Sequence, residues 1–349
     1  MFTLNLSYDI ISEINEGIQF MKDKLLRFNE NGKFKILCIS DIHAGIGYNK
    51  NLTSVYLRSL LSKTEPDIVL MLGDIAGPGE IHIETENQLR EMLESLTEPL
   101  TSRRIYWANV FGNHDDNFGV SNENAQGIYE SFDYCLSKAG EKDIAGTGNY
   151  TLTVYGHDGE APKFNIFAFD SHGSMSCFEK SFNLTSPVKN EEKDVEGLDF
   201  DDKGADVSQV VWYYNTSKEF EKTQGRVLPA LAVMHIPIPE MKDAARSPEE
   251  NGLEGIFGES VSCSGLNNGL FRACLERGDI KNFCFGHDHS NNFSVNYCGI
   301  TLSYDGYLSC HADHKINQLG GRIYELSEKT DGTVDVTSEF VPALPVFNK

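Results

Sequence analysis

Hydrophobic positions in this chain fall mainly into short blocks. FKILCIS (34–40), DIVLML (67–72), IYWANVF (105–111), FNIFAF (164–169), LPALAVM (228–234), NFCF (282–285), ITLSY (300–304) and RIYEL (322–326) are each four to seven residues long. They are apolar on both faces, the pattern of strands buried on two sides. In the first half they alternate with helix-like segments at 51–63 and 85–97, which predicts an α/β protein with crossover connections. The close spacing of the last three blocks predicts hairpin-like antiparallel strands. Upstream, Ile10, Ile14, Ile18, Met21 and Leu25 recur at helical period, so 9–28 reads as an amphipathic helix packed outside the main domain.

The stretch 183–207, NLTSPVKNEEKDVEGLDFDDKGADV, has no hydrophobic period and is rich in acids, so it reads as a surface loop. Strand-like blocks lie on both sides of it, which favours one domain with an insertion. The division expected is a helical extension over 1–30, a catalytic domain over 31–330 carrying the acidic loop, and a tail over 331–349.

Forty per cent hydrophobic content over 349 residues is enough for a sizeable core and excludes disordered, collagenous and disulfide-scaffold classes. The formal charge of −22 opposes binding to nucleic acid and to anionic membranes, since polyanions are held chiefly by Lys and Arg. No apolar stretch approaches the ~20 residues that span a bilayer, and no signal-like start is seen, so a cytoplasmic location is expected. Eight cysteines with no C-x-x-C pair read as reduced, mostly buried thiols.

The chemical residues sit just past the strand-like blocks. FKILCIS leads to Asp41 and His43, DIVLMLG to Asp74, IYWANVFG to Asn113, His114 and Asp115, LPALAVM to His235, and NFCFG to His287, Asp288 and His289. Side chains two apart in extended chain face the same way, so Asp41 with His43, and His287 with His289, can each present two ligands to one point. Crevices beyond the carboxyl ends of strands are where α/β sheets bind ligands. Mixed imidazole and carboxylate donors suit zinc, iron or manganese rather than calcium. Gly73, Gly112 and Gly286 directly precede these islands, where a sharp turn is needed.

Asp41-x-His43, Gly73-Asp74, Gly112-Asn113-His114-Asp115, His235 and Gly286-His287-x-His289, in this order, resemble the calcineurin-like metallophosphoesterase superfamily. The likeness runs over about 26–326 and is nearest to the purple-acid-phosphatase-like group with HIPIPE and GHDHSNNF segments. Two departures stand out. True purple acid phosphatases carry a tyrosine ligand where this chain has Gly77, and they lack a His at the position of His43, so no purple chromophore is expected. The resemblance implies a four-layer αββα sandwich, two mixed β-sheets flanked by helices, with a binuclear metal centre. It places Asp41, His43, Asp74 and His289 on one ion and Asp74, Asn113, His235 and His287 on the other, with Asp74 bridging.

Two divalent ions, of manganese, iron, zinc or cobalt, about 3.5–4 Å apart can lower the pKa of a shared water from 15.7 towards about 7 for in-line attack. Their charge would hold a phosphate despite the acidic surface. His114 is the candidate general acid for the leaving alkoxide, with Asp115 or Asp116 orienting it. The expected activity is phosphomonoester hydrolysis, on a phosphorylated small molecule or a phosphoprotein. The alternatives are a phosphodiesterase, for cyclic nucleotides or glycerophosphodiesters, and a non-catalytic protein-binding scaffold. His82, His157 and His172 read as ordinary loop histidines, and Asp170-Ser171-His172 as lining or supporting the pocket. Trp107, Tyr304 and Tyr307 read as core aromatics, and His311 and His314 as pocket wall or plain loop.

Overall fold

The computed structural model describes residues 25–45, 52–76, 83–115, 119–172, 204–309 and 316–344. The helix expected over 9–28, most of the acidic loop, and Gly77, His82, Asp116, His311 and His314 lie largely or wholly outside them. The described strands are β1 (Lys33–Ile39), β2 (Ile68–Leu72), β3 (Tyr106–Val110), β4 (Tyr150–Tyr155), β5 (Pro162–Ala168), β6 (Ala230–Met234), β7 (Ile280–Phe285), β8 (Ser294–Tyr297), β9 (Ile300–Tyr304), β10 (Gly320–Glu328) and β11 (Val334–Pro342). The helices are α1 (Leu52–Thr64), α2 (Glu86–Thr101), α3 (Asn122–Glu130), α4 (Val207–Gln224), α5 (Pro239–Ala245) and α6 (Leu270–Arg277).

The strands form two mixed sheets, one ordered β11-β10-β1-β2-β3 and the other β4-β5-β6-β7-β9-β8. Alternation along β1 explains the layering. Phe34, Ile36 and Cys38 point between the sheets, where they meet Phe164, Ile166, Leu231, Val233 and Cys284. Leu37 and Ile39 point outwards under α1 and α2, with Leu57, Leu61, Leu93 and Leu96. The second sheet is covered by α4, α5 and α6 through Tyr213, Met241 and Phe271 packed on Phe167, Phe169 and Phe283. The result is the αββα sandwich, and burying strands on both faces is what makes their sequences continuously apolar. Among the described residues no helix is long and apolar enough to cross a membrane.

Three features differ from the sequence reading. The last three apolar blocks do not form an antiparallel set: β7 and β9 run parallel, and β10 lies in the other sheet, antiparallel to β1. The antiparallel partner of β9 is β8, which has only polar or isolated apolar residues. The segment after 330 is not a tail throughout, because β11 pairs along the whole of β10. At the other boundary, Leu26 and Phe28 are buried in the intersheet core. The three strands that had no apolar block, β4, β8 and β11, all lie at sheet edges. An edge strand in an antiparallel pair needs only one apolar face, and the alternating burial of β4 and β11 shows it.

Candidate metal centre

The carboxyl ends of β1, β2, β3, β6 and β7 meet at one rim of the sandwich. Asp41 N–H donates to Gly73 O (3.1 Å), His43 N–H to Asp74 O (3.0 Å) and Gly286 N–H to His235 O (3.1 Å), so the loops leaving these strands are tied to one another beyond the sheets. Asp41, His43, Asp74 and His287 all take left-handed backbone angles, with φ of 52°, 46°, 49° and 78°. That region is costly for residues with a side chain, and its repetition at one rim marks a locally strained, over-determined site. Gly112 is required for the approach: a Cβ there would overlap both the Oδ1 and the backbone N of Asp74.

Donor atoms from five loops converge. Asp41 Oδ1 lies 3.0 Å from His289 Nε2, whose ring nitrogen faces His43 Nε2 at 3.4 Å. Asp74 Oδ2 is 3.4 Å from His235 Nε2 and 4.0 Å from His43 Nε2. Asn113 Oδ1 is 3.0 Å from His235 Nε2. Two triads have ligand atoms mutually within 4.8 Å, Asp41-His43-His289 and Asp41-Asp74-His235. Neither includes His287, whose ring packs edge-on to His235 with centroids 5.2 Å apart and whose N–H donates to Asp41 Oδ2.

In Asp41, Asp74 and His235 the opposite atoms are already committed. Asp41 Oδ2 accepts from Ser40 Oγ and from His287 N–H, leaving Oδ1 to the site. Asp74 Oδ1 accepts from His114 N–H at 2.8 Å, leaving Oδ2. His235 Nδ1 is held by Leu72 O at 2.7 Å, leaving Nε2. Such outer partners are what orient metal ligands. Spacings of 3.0–3.4 Å between donor atoms match those of neighbouring ligands on an ion at roughly 2.0–2.2 Å, so the residues present fit a metal.

The site's electrostatics follow from burial and crowding. Burial opposes the Asp41 carboxylate, but the charges of His289, His235 and His43 overcome it and hold the group well below the usual range. Burial likewise opposes Asp74, and His235 outweighs it, holding the carboxyl at about 2. Burial disfavours a charge on His235, yet the Asp74 carboxylate lifts the ring to about 10. His43 is held below its ordinary value by burial, and His289 is raised, against burial, by Asp41. Two buried carboxylates thus stand ready for cationic charge.

His114 stacks edge-on to His43, with centroids 5.7 Å apart, and sits at the same rim. Asp115 does not orient it. That buried carboxylate accepts the backbone N–H groups of Asp74, Ile75, Ala76 and Gly112, so it holds the Asp74 loop in shape. Asp170 accepts Thr147 N–H and His172 N–H, and Ser171 Oγ accepts Ile236 N–H next to His235, which gives this triplet a supporting place. His157 lies on the surface. Trp107 and Tyr304 are fully buried. Tyr307 is also buried, and its ring stacks on His289 at 5.9 Å and 20°, a support that a core reading missed. Ser40 was likewise missed, because a serine beside a ligand has no signal of its own. Of the described cysteines, five are buried free thiols and Cys298 is exposed.

Comparison with known proteins agrees with this geometry. Residues 34–291 match the model of the calcineurin-like phosphoesterase family. The chain is 28% identical over 339 residues to "Probable inactive purple acid phosphatase 14" of Arabidopsis thaliana, covering 89% of this chain and 79% of that protein. It is 26% identical over 314 residues to "Probable inactive purple acid phosphatase 29" of the same plant, covering 82% and 75%. Among solved structures it resembles "GAP50 the anchor in the inner membrane complex of Plasmodium", with a TM-score of 0.50 and 13% identity over 89% of this chain and 85% of the other, a likeness of fold alone. With about three quarters of its length matched by the family model and its strand-end motifs gathered at one rim, this chain belongs to the calcineurin-like phosphoesterase family.

Proposed function

We propose that the chain is a binuclear-metal-dependent phosphoric-ester hydrolase acting on phosphomonoesters, small or protein-borne. The observation that carries this is the convergence of Asp41, His43, Asp74, Asn113, His235 and His289, with the far atoms of Asp41, Asp74 and His235 engaged elsewhere. Asp41, His43, Asp74 and His289 would hold one ion, and Asp74, Asn113, His235 and His287 the other. When bound, such ions supply Lewis acidity and an activated water for displacement at phosphorus.

The chain's own groups do the rest. Asp74 presents one oxygen to both clusters while His114 N–H fixes the other. His114, at the rim beside His43, is placed to give a proton to the leaving alkoxide. Its backbone hydrogen bond to Asp74 couples the acid's position to that of the bridging ligand. Since the acidic protein repels free phosphate, binding depends on the positive charge that these carboxylates recruit.

A second reading, a fold reused for protein binding, is favoured by the words "probable inactive" in the names of the two plant relatives. Fold does not fix function, so the side chains must decide. The test is hydrolysis of p-nitrophenyl phosphate and bis-p-nitrophenyl phosphate by metal-stripped protein reloaded with manganese, iron, zinc or cobalt. Metal-dependent monoester turnover, lost in Asp74→Asn, supports the proposal. Preference for the diester would make it a phosphodiesterase, and no turnover with two ions bound would support the scaffold.

A further inference from the structure

We propose that Asp305 is a protonated carboxylic acid that donates through the Ser40 hydroxyl to Asp41, a positioning residue that keeps this ligand single-handed towards the metal; the inference rests on the metal-centre reading above. Ser40 Oγ lies 2.5 Å from Asp41 Oδ2 and 2.8 Å from Asp305 Oδ1, with Gly306 O at 3.3 Å. Two such short oxygen–oxygen contacts need two protons, and a hydroxyl carries one. Asp41 stands among three histidines and serves as an anionic donor, so the second proton belongs to Asp305. The chain then reads Asp305 O–H to Ser40 Oγ, and Ser40 O–H to Asp41 Oδ2.

The surroundings of Asp305 agree. The side chain is fully buried, and its Oδ2 has no hydrogen-bond partner, which a neutral carbonyl tolerates far better than an anion does. The nearby cation does not serve it: Arg322 gives Nε to Tyr304 O and Nη2 to Asn292 O. Burial pushes the Asp305 carboxyl up, the charges of Cys284 and Asp41 add to it, and together they outweigh the Ser40 hydroxyl and His235, which favour the anion. The chain ties β9's end to β1's end, across the two sheets and directly behind the ligand.

Neutral donors on Asp41 Oδ2 fix its geometry without adding negative charge behind the ion. Outer partners of this kind are worth about tenfold to a hundredfold in metal affinity. The test uses the full chain, stripped of metal, with manganese binding measured by calorimetry in the wild type, Asp305→Asn, Asp305→Leu, Ser40→Ala and the Ser40→Ala/Asp305→Leu double variant. Asn retains a donor and no charge, so Asp305→Asn keeps an affinity near that of the wild type. Asp305→Leu and Ser40→Ala each weaken it about tenfold or more, and the double variant is no worse than either, because all interrupt one chain.

Infrared difference spectra of metal-free wild type and Asp305→Asn supply a readout that does not depend on the ion. The carbonyl band of a protonated carboxylic acid, shifted in heavy water, is present in the wild type and lost in the variant. A missing band, or Asp305→Asn falling as far as Asp305→Leu, overturns the proposal. If wild type binds no manganese, the metal-centre reading fails by itself, and the infrared comparison still decides the state of Asp305.

Discussion

Replacing Asp115 by alanine should unfold the metal-free protein more readily, and the size of the effect can be worked from four hydrogen bonds. Its carboxylate accepts from Asp74 N at 2.8 Å, Ile75 N at 3.0 Å, Ala76 N at 3.1 Å and Gly112 N at 2.8 Å, all in buried surroundings. A buried donor left without a partner costs about 1–3 kcal/mol, so four give about 4–12 kcal/mol before water or loop movement recovers part. A loss of at least about 4 kcal/mol is expected in urea denaturation of the apoprotein. With roughly 2.1 cal/mol/K of unfolding entropy per residue, that is a fall of about 5 °C in Tm for a chain of 349 residues. Asp115→Asn should fall between, because one oxygen is kept while the amide nitrogen faces donors. Manganese binding should weaken in both, since the displaced loop carries Asp74. A loss below about 1 kcal/mol in Asp115→Ala would refute the reasoning and return Asp115 to a role confined to His114.

His114→Ala should slow hydrolysis of alkyl phosphates about 10²–10⁴-fold while affecting p-nitrophenyl phosphate much less, because a good leaving group needs no proton; equal losses would remove the general-acid role. Gly112→Ala should abolish metal binding, as its Cβ would overlap Asp74, whereas Gly127→Ala on α3, where a Cβ meets open space, should raise stability by about 0.4–1 kcal/mol; urea midpoints and metal titrations check both. The paired His235 also makes apoprotein stability depend on pH. Its folded pKa, about 10, lies above the ordinary 6.5, so the contribution is full below about 6.5 and is lost as pH rises to 10. Manganese binding at neutral pH should therefore release protons, seen as calorimetric heats that vary with buffer ionisation enthalpy, and no such variation would contradict the His235–Asp74 pairing.

The chain's local pattern by itself determined the buried strands, the order of the motifs and the type of chemistry. FKILCIS, DIVLML and LPALAVM are apolar on both faces because helices and the opposing sheet cover them, and that burial leaves a direct mark on composition. The candidate ligand residues stand out in the sequence because each follows such a block. Edge strands leave a weaker mark: β8 and β11 need one apolar face, so their sequences look like loop, and a domain boundary at 330 falls inside the β10–β11 hairpin. Strand direction was also out of reach, since NFCF and ITLSY say nothing of whether the chain between them reverses once or twice. Tertiary structure alone decided the supporting roles. Asp115 lies beside His114 in sequence yet turns to the amides of the Asp74 loop, Tyr307 comes to stack on His289, and Asp305 reaches Ser40, the neighbour of Asp41, from 265 positions away. Hydrogen bonds depend on where atoms come to rest in space, and a residue's neighbours in sequence carry no record of partners more than two hundred positions away.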